Sequence, residues 1–330
     1  MIGTGAVRGA ATAALLADLG FGEPPDQLHP TVWMGRWLGR IRASQKSRSM
    51  MPGHSSRQAF WHGAAGLAGG VALTTAIAGA VAAIIAQLGN ASTAGASTLP
   101  STLGRISVEG VLLKPALAVR SLLRAADVVR VALERHDLDQ ARHLLSWHLV
   151  SRNTDALSAD EVAGAAIASL AENLSDSVVG PLMAYRLGGL PAAYAYRFVN
   201  TADAMLGYRT PELEWFGKSA ARSDDVLNLL PARVSAPLLA LAAPCAMASP
   251  WKALRCGIRD ASRTPSPNGG WPMATMAGAL GIRLEKRGLY VLNAEGRAPT
   301  AHDITRARRM VFAASLAAVM CVELSIPVSA

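Results

Sequence analysis

The stretch WHGAAGLAGGVALTTAIAGAVAAIIAQL, Trp61–Leu88, carries no Asp, Glu, Lys or Arg, and the uncharged run around it reaches from Arg57 to Arg105. About 20 apolar helical residues cross a bilayer, so this segment is long enough to span one. Its small residues, Gly66, Gly69, Gly70, Ala76, Gly79 and Ala80, suit close helix packing inside lipid. The remainder of the 330-residue chain agrees: 51% of it is hydrophobic and 17% charged, where a soluble domain carries about 25% charge. That balance excludes disorder and speaks against an ordinary water-soluble enzyme. The expected fold is all-α: a polytopic integral membrane protein with re-entrant or hairpin segments and a cytoplasmic helical part.

Outward from that span, the chain reads as one membrane-embedded domain over 1–330. Further spans are expected at 2–19, 106–123 and 310–327; Glu109, Lys114 and Pro115 in the second of these require one face to meet protein or water rather than lipid. Two apolar segments, 163–198 and 234–251, are interrupted by Gly188, Gly189 and Pro191 and by Pro237, Pro244 and Pro250. Both have basic or charge-rich flanks at both ends, so each is expected as a helical hairpin or re-entrant segment. A basic loop, Arg36 to Arg57, and an amphipathic helical insert, 124–160, belong in the cytoplasm by the positive-inside rule, while the uncharged Asn90–Gly104 belongs outside. Only GLYVL, Gly288–Leu292, reads as a strand.

The net charge is +9, with 27 Arg against five Lys. Cytoplasmic positive charge accounts for part of this, and Arg-rich recognition of phosphorylated substrates is the more pointed reading. No basic helix interleaved with aromatics is present, and aromatics make up 5% of the chain, so nucleic acid is not an expected partner. Cys245, Cys256 and Cys321 are too scattered for a disulfide framework or a zinc site, and no GxxxxGK[ST] phosphate loop occurs.

Chemistry concentrates in three short groups. Glu172, Asn173 and Asp176 lie in LAENLSD, with Glu172 and Asp176 on one helix face. Asn200 and Asp203 share a face in NTADAM, and Asp224, Asp225 and Asn228 repeat the spacing in SDDVLN. Carboxylate and amide oxygens are the hard ligands that Mg²⁺ prefers, one or two of them commonly joining substrate phosphates. Arg197, Arg209, Lys218, Arg222 and Arg233 follow close in sequence, so the composition is that of a Mg-nucleotide or phosphoester site. The bland alternative for any one group is a helix cap or a solvated face. His29 follows the turn after the first apolar run, and a hydrogen-bonded structural role is the commoner fate of a lone histidine there. Arg142 and Arg152 flank a helix end, where positive-inside charge explains them equally well. Ser266 and Asn268 lie in a turn-rich stretch able to present backbone N–H groups to an anion, or to serve as a plain turn.

Several longer strings resemble the CobD/CbiB family of cobalamin biosynthesis, adenosylcobinamide-phosphate synthase. They are DLGFGEPPDQLHPTVWMGRWL (Asp18–Leu38), ARHLLSWHLVSRNTDAL (Ala141–Leu157), ENLSDSVVGPL (Glu172–Leu182), YRFVNTADAMLGY (Tyr196–Tyr208), WFGKSAARSDDVLNLLPAR (Trp215–Arg233) and TPSPNGGWPMATMAGALGIRLEKRGLY (Thr264–Tyr290). Departures occur where the family has Gly-Asp-Pro, Arg-Asp-Thr and Asn-Thr-Leu-Asp; here stand Gly22-Glu23-Pro24, Arg152-Asn153-Thr154 and Asn200-Thr201-Ala202-Asp203. The resemblance implies an ATP- and Mg-dependent amide ligase joining aminopropanol, or its O-phosphate, to a propionate carboxylate of adenosylcobyric acid. It implies a catalytic set of Glu172, Asn173, Asp176, Asn200, Asp203, Asp224 and Asp225, with Asp176, Asp203, Asp224 and Asp225 on the metal. Substrate or phosphate binding would fall to His29, Arg142, Arg152, Arg197, Tyr208, Lys218, Arg222, Asn228, Arg233, Ser266 and Asn268. The expected location is the cell inner membrane, multi-pass, with the site facing the cytoplasm; a homo-oligomer is left open. A Mg-dependent phosphotransferase would use similar aspartates, but the spaced Asp/Gly/Arg pattern of that class is absent. A transporter would favour mid-membrane charges and paired repeats, and neither is seen.

Overall fold

Runs of Ala, Leu and Gly punctuated by Pro and Gly fold here almost entirely as helix. The computed structural model describes residues 5–49, 55–92 and 98–327. Its helices are α1 Ala10–Phe21, α2 Pro30–Ser49, α3 Ser56–Ser92, α4 Thr98–Leu113, α5 Val119–Glu134, α6 Leu138–His148, α7 Ala159–Leu174, α8 Gly180–Leu206, α9 Lys218–Leu227, α10 Leu229–Ala242, α11 Pro250–Asp260, α12 Gly270–Leu280 and α13 Ala301–Ser325. The strand expected at 288–292 is confined to β2 Tyr290–Leu292. It pairs antiparallel with β1 Leu284–Lys286 in the register Leu284 to Leu292.

Contacts group the chain into two compact units where one membrane-embedded domain was expected. The first unit draws on 1–117, 181–227 and 321–330, and the second on 118–180 and 228–320. In the first, Met34 and Leu38 of α2, Phe198, Ala202 and Leu206 of α8, Leu213 and Phe216 of the following turn, and Ala220 of α9 form one buried cluster. On α8 the buried residues recur at i, i+4 and i+8, so Asn200 and Asp203 lie on the other side of the helix. In the second unit α5 buries Val119, Leu122, Ala126 and Val129 as one stripe, while α12 is buried on every side. The apolar, small-residue text of α12 suits such a central position.

The expected spans fare differently. Among the described residues two helices are long and apolar enough to cross a membrane. One is Ser56–Leu88, which matches the expected 61–88 and has only 6% of its most apolar window buried; the other is Leu229–Ala246, 56% buried. The segment expected to span at 2–19 gives a helix of 12 residues, about 18 Å at 1.5 Å per residue, short of a crossing. The 106–123 segment is not one helix: α4 ends at Leu113, a 3₁₀ turn covers Lys114–Ala116, and α5 starts at Val119. Pro115 has no N–H to continue the ladder. Lys114 there does meet protein, being buried against Asp18 at 3.4 Å. The basic loop expected from Arg36 is helical as far as Ser49, because only its charge and not its propensity spoke for a loop. The external linker expected at Asn90–Gly104 shrinks from both ends into α3 and α4, and residues 93–97 lie outside the described residues.

Within 163–198 the chain departs from α geometry twice. A π-turn occupies Ser175–Val179, with the Gly180 N–H reaching back five residues to the Ser175 carbonyl. Then α8 breaks at Gly188 and Gly189, the latter at φ 64° and ψ −156°, a region open essentially to glycine alone. The Gly–Gly–Pro signal therefore marks a true interruption of the helix.

Candidate functional site

In the first unit the end of α8 and the helix α9 carry the polar groups. Arg197 Nη1 donates to Asn200 Oδ1 at 3.3 Å, and Asn200 Nδ2 donates to Asp224 Oδ1, also at 3.3 Å. A guanidinium, an amide and a carboxylate thus form a relay that fixes the Asp224 side chain. Asp203 lies one turn beyond Asn200, and a Cβ at Gly207 would come within 2.0 Å of Asp203 Oδ1. Only the bare glycine backbone leaves room for that carboxylate. Gly217 makes the matching approach to the Leu206 carbonyl, where a Cβ would sit at 1.7 Å. The turn is thereby closed tightly enough to bring α9 beside α8. Lys218 at the start of α9 lies with Nζ 4.0 Å from the Trp215 ring centroid, a cation–π contact that orients it. Asp224 and Asp225 are half-buried, while Arg222 and Tyr208 are exposed.

In the second unit the C-terminal end of α7 carries Glu172 and Asn173, and the π-turn carries Asp176. Such π-turns occur disproportionately at functional sites. A Cβ at Gly269 would meet Glu172 Oε1 at 2.8 Å, so this carboxylate lies against the loop before α12. Tyr290 of β2 joins the group. Burial pushes its phenol up to about 12, the Glu172 charge pushing the same way and Arg152 opposing it. Arg152 and Glu172 therefore both lie within electrostatic reach of the Tyr290 ring. The Asn173 amide is engaged within its own helix, donating to the Ser169 carbonyl at 2.9 Å and to Ser169 Oγ at 3.1 Å.

Other expected site residues have structural employment. His29 Nδ1 accepts the Thr31 N–H at 3.2 Å, which leaves the proton on Nε2, 3.1 Å from Glu23 Oε2. Both ring nitrogens are thus engaged within the protein. Arg142 Nε donates to the Leu157 carbonyl at 2.8 Å and its Nη1 pairs with Asp139, holding the loop after α6. Asn228 is buried at the start of α10. Arg233 donates to the Leu229 carbonyl and stacks 5.3 Å from the Trp271 ring. Ser266 Oγ accepts from the N–H groups of Asn268 and Gly269 at 3.2 and 3.3 Å, so the loop's own hydroxyl takes the donors that were expected for an anion.

The seven expected catalytic residues thus gather as two groups, one in each unit. Asp203, Asp224 and Asp225 belong to the first and Asp176 to the second. Among the described residues no three acid, imidazole or thiol side chains come close enough to hold a metal by themselves. The four-aspartate metal set is therefore not assembled as an all-protein cage. The donor chemistry fits a different mode: Mg²⁺ commonly takes one or two carboxylates and completes its shell with water and substrate phosphates, and Asp224 beside Asp225 offers hard oxygens for that. Two positions were missed in the sequence. Tyr290 is the closing residue of the 264–290 string, and its place there was the available signal. The π-turn left no trace in residue pattern.

Comparison with known proteins gives the same direction throughout. Residues 11–312 match the family described as CobD/Cbib protein. A protein of Methanothrix thermoacetophila described as a probable cobalamin biosynthesis protein CobD is 38% identical over 325 residues, covering 94% of this chain and 96% of that one. Its counterpart in Methanothermobacter thermautotrophicus is 38% identical over 283 residues, 84% of each chain. The Klebsiella pneumoniae cobalamin biosynthesis protein CobD is 38% identical over 271 residues, 82% of this chain and 80% of that one. No solved structure matches the chain.

Proposed function

The chain belongs to the CobD/CbiB family of cobalamin biosynthesis, and from that premise we propose that it is an ATP- and Mg-dependent amide ligase acting on a corrinoid. The acid partner is a propionate carboxylate of adenosylcobyric acid, and the amine partner is aminopropanol or its O-phosphate. The observation that carries the reading is the Arg197–Asn200–Asp224 relay, in which a carboxylate is held by an amide that a guanidinium holds in turn.

The chemistry needs a carboxylate to become electrophilic. Its oxygen attacks the γ-phosphorus of ATP, giving an acyl phosphate and ADP. The amine, having lost one proton from its ammonium form, attacks the acyl carbon; the C–N bond forms, phosphate leaves, and a second proton is released from nitrogen. Mg²⁺ supplies charge neutralisation at the nucleotide phosphates when bound. Asp224 and Asp225 would hold it, and the Asn200 amide keeps Asp224 in one rotamer for that task. Lys218 and Arg222 stand on the same helix as those carboxylates and suit the phosphate oxygens. Asp203, packed against the Gly207 backbone, would accept a proton or hold an ammonium group. Glu172, Asp176 and Arg152 would contribute charged groups to substrate binding.

The outward apolar face of α3 supports residence in a membrane, and the positive-inside pattern of the basic segments is the ground for proposing a multi-pass inner-membrane protein with those segments on the cytoplasmic side. Incubating the purified protein with adenosylcobyric acid, ATP, Mg²⁺ and each of the two amines tests the proposal. The expected products are the corrinoid amide and stoichiometric ADP with one of the amines. ADP without amide, or amide without nucleotide, would overturn the mechanism.

A further inference from the structure

A cavity of about 920 Å³ in the first unit is not used by the chemistry above. Trp33 and Trp37 of α2, Leu73 and Ile77 of α3, and Tyr194 and Phe198 of α8 line it. Its size is within the ~300–1,000 Å³ range of small-molecule sites, but its lining offers a ligand little beyond carbon. Trp33 Nε1 donates to the Gln27 carbonyl at 2.9 Å, Trp37 Nε1 to Gly66 at 3.2 Å, and the Tyr194 hydroxyl to Leu112 at 2.6 Å. The aromatic donors are thus turned back into the protein. Glu23 and Lys114, at one end, are paired with each other. An amide-rimmed corrinoid or a nucleotide would leave most of its polar atoms without partners here.

Arg40 is the exception in this lining. It is exposed at the rim and makes no ion pair among the described residues, whereas Arg42 of the same helix binds Glu212 at 3.5 Å. Positions 33, 37 and 40 follow the i, i+4, i+7 rule, so two tryptophans and this arginine share one face of α2. Tryptophan with arginine just beyond it is the arrangement of a membrane–water interface. The opposite wall belongs to α3, whose apolar window is almost wholly unburied. We propose that this cleft seats an acyl chain of an anionic phospholipid, with the lipid phosphate at the Arg40 guanidinium. The occupant follows from charge complementarity: an apolar trough ending in one uncommitted cation.

The test uses full-length protein in neutral detergent and phosphatidylglycerol or phosphatidylcholine with brominated acyl chains, which quench nearby tryptophan. Phosphatidylglycerol is expected to reach half-maximal quenching at about fivefold lower mole fraction than phosphatidylcholine, the worth of one interfacial cation. Arg40→Gln should bring the two curves together without lowering maximal quenching. Thr74→Phe, which fills the trough, should shift both midpoints upward several-fold. In a Trp61→Phe background, which removes the exposed tryptophan of α3, Trp33→Phe with Trp37→Phe should abolish the difference between the two lipids. Superposed curves in the unaltered protein, or a preference that survives Arg40→Gln or the loss of Trp33 and Trp37, would overturn the proposal. The assay contains neither nucleotide nor corrinoid, so its failure leaves the ligase reading standing.

Discussion

Asn200 on α8 donates its side-chain amide to Asp224 Oδ1 on α9 at 3.3 Å, across a turn that Gly207 and Gly217 close by backbone contact. Two motifs that are separate in sequence are thereby one polar group in space. Asp224 lies inside α9 rather than at a cap, and a purely structural hydrogen bond and a role in chemistry differ in their consequences.

If Asp224 acts on metal or phosphate, Asp224→Asn abolishes turnover while the protein still inserts and purifies, because Asn keeps the shape and loses the charge. Asn200→Ala should lower turnover by about 10- to 100-fold, the usual cost of removing an orienting partner, with substrate affinity less affected. An acceptor that only receives the Asn200 amide is replaced by the Asn side-chain oxygen, so near-normal turnover of Asp224→Asn returns the residue to a structural role.

Gly207→Ala puts a methyl group where Asp203 Oδ1 lies. The carboxylate must then move, and overpacking of this kind costs roughly 1–3 kcal/mol. The expected outcome is a lower melting temperature together with lost amide formation. Asp203→Ala in the same background should restore only part of the stability, because the new methyl group also meets the Asp203 carbonyl at 2.7 Å, and none of the activity.

Asp303 at the start of α13 gives a pH test outside the site. Burial by itself would raise its carboxyl, but hydrogen bonds from Arg297 and Thr300 prevail and lower it to about 2. A group whose folded pKa is depressed contributes stability above its unfolded pKa and loses it as pH falls through the folded one. The contribution, on the order of 2 kcal/mol, is therefore complete above about pH 4 and lost toward pH 2. Asp303→Asn should melt lower at pH 7, with the gap to the parent protein narrowing only below about pH 4.

Mg²⁺ with a nucleotide should raise the melting temperature, since a ligand at 100 times its Kd stabilises by about 2.7 kcal/mol. Asp225→Asn is expected to remove most of that shift, and Mg²⁺ alone to give little, because too few carboxylates gather to hold the ion without phosphates. A full shift from Mg²⁺ alone would point to an all-protein metal cage.

The topology is tested by cysteine labelling after replacing Cys245, Cys256 and Cys321 with serine. An impermeant reagent added to intact cells should modify a cysteine at Ser97 and spare one at Ser47 of α2. The reverse pattern would invert the proposed orientation and put the Asp224 group outside.

Helix content, the long apolar α3 and the break at Gly188–Gly189 were legible in the sequence, because each rests on local chemistry: an uncharged run, small residues and a position that only glycine adopts. The family was legible for the same reason, since its strings are contiguous. What only the tertiary structure decided is which polar groups meet. Asn200 reaches Asp224, Glu172 approaches Gly269 and Tyr290, and Lys114 pairs with Glu23, all through packing of distant segments that carries no periodic signature. The fate of the lone histidine and of Arg142 was likewise tertiary, because nearby carboxylate and carbonyl partners claimed them. Length and hydropathy could not separate a crossing from a buried core helix: Leu229–Ala246 passes the same test as α3 with over half its length covered, since protein interior and lipid select the same side chains.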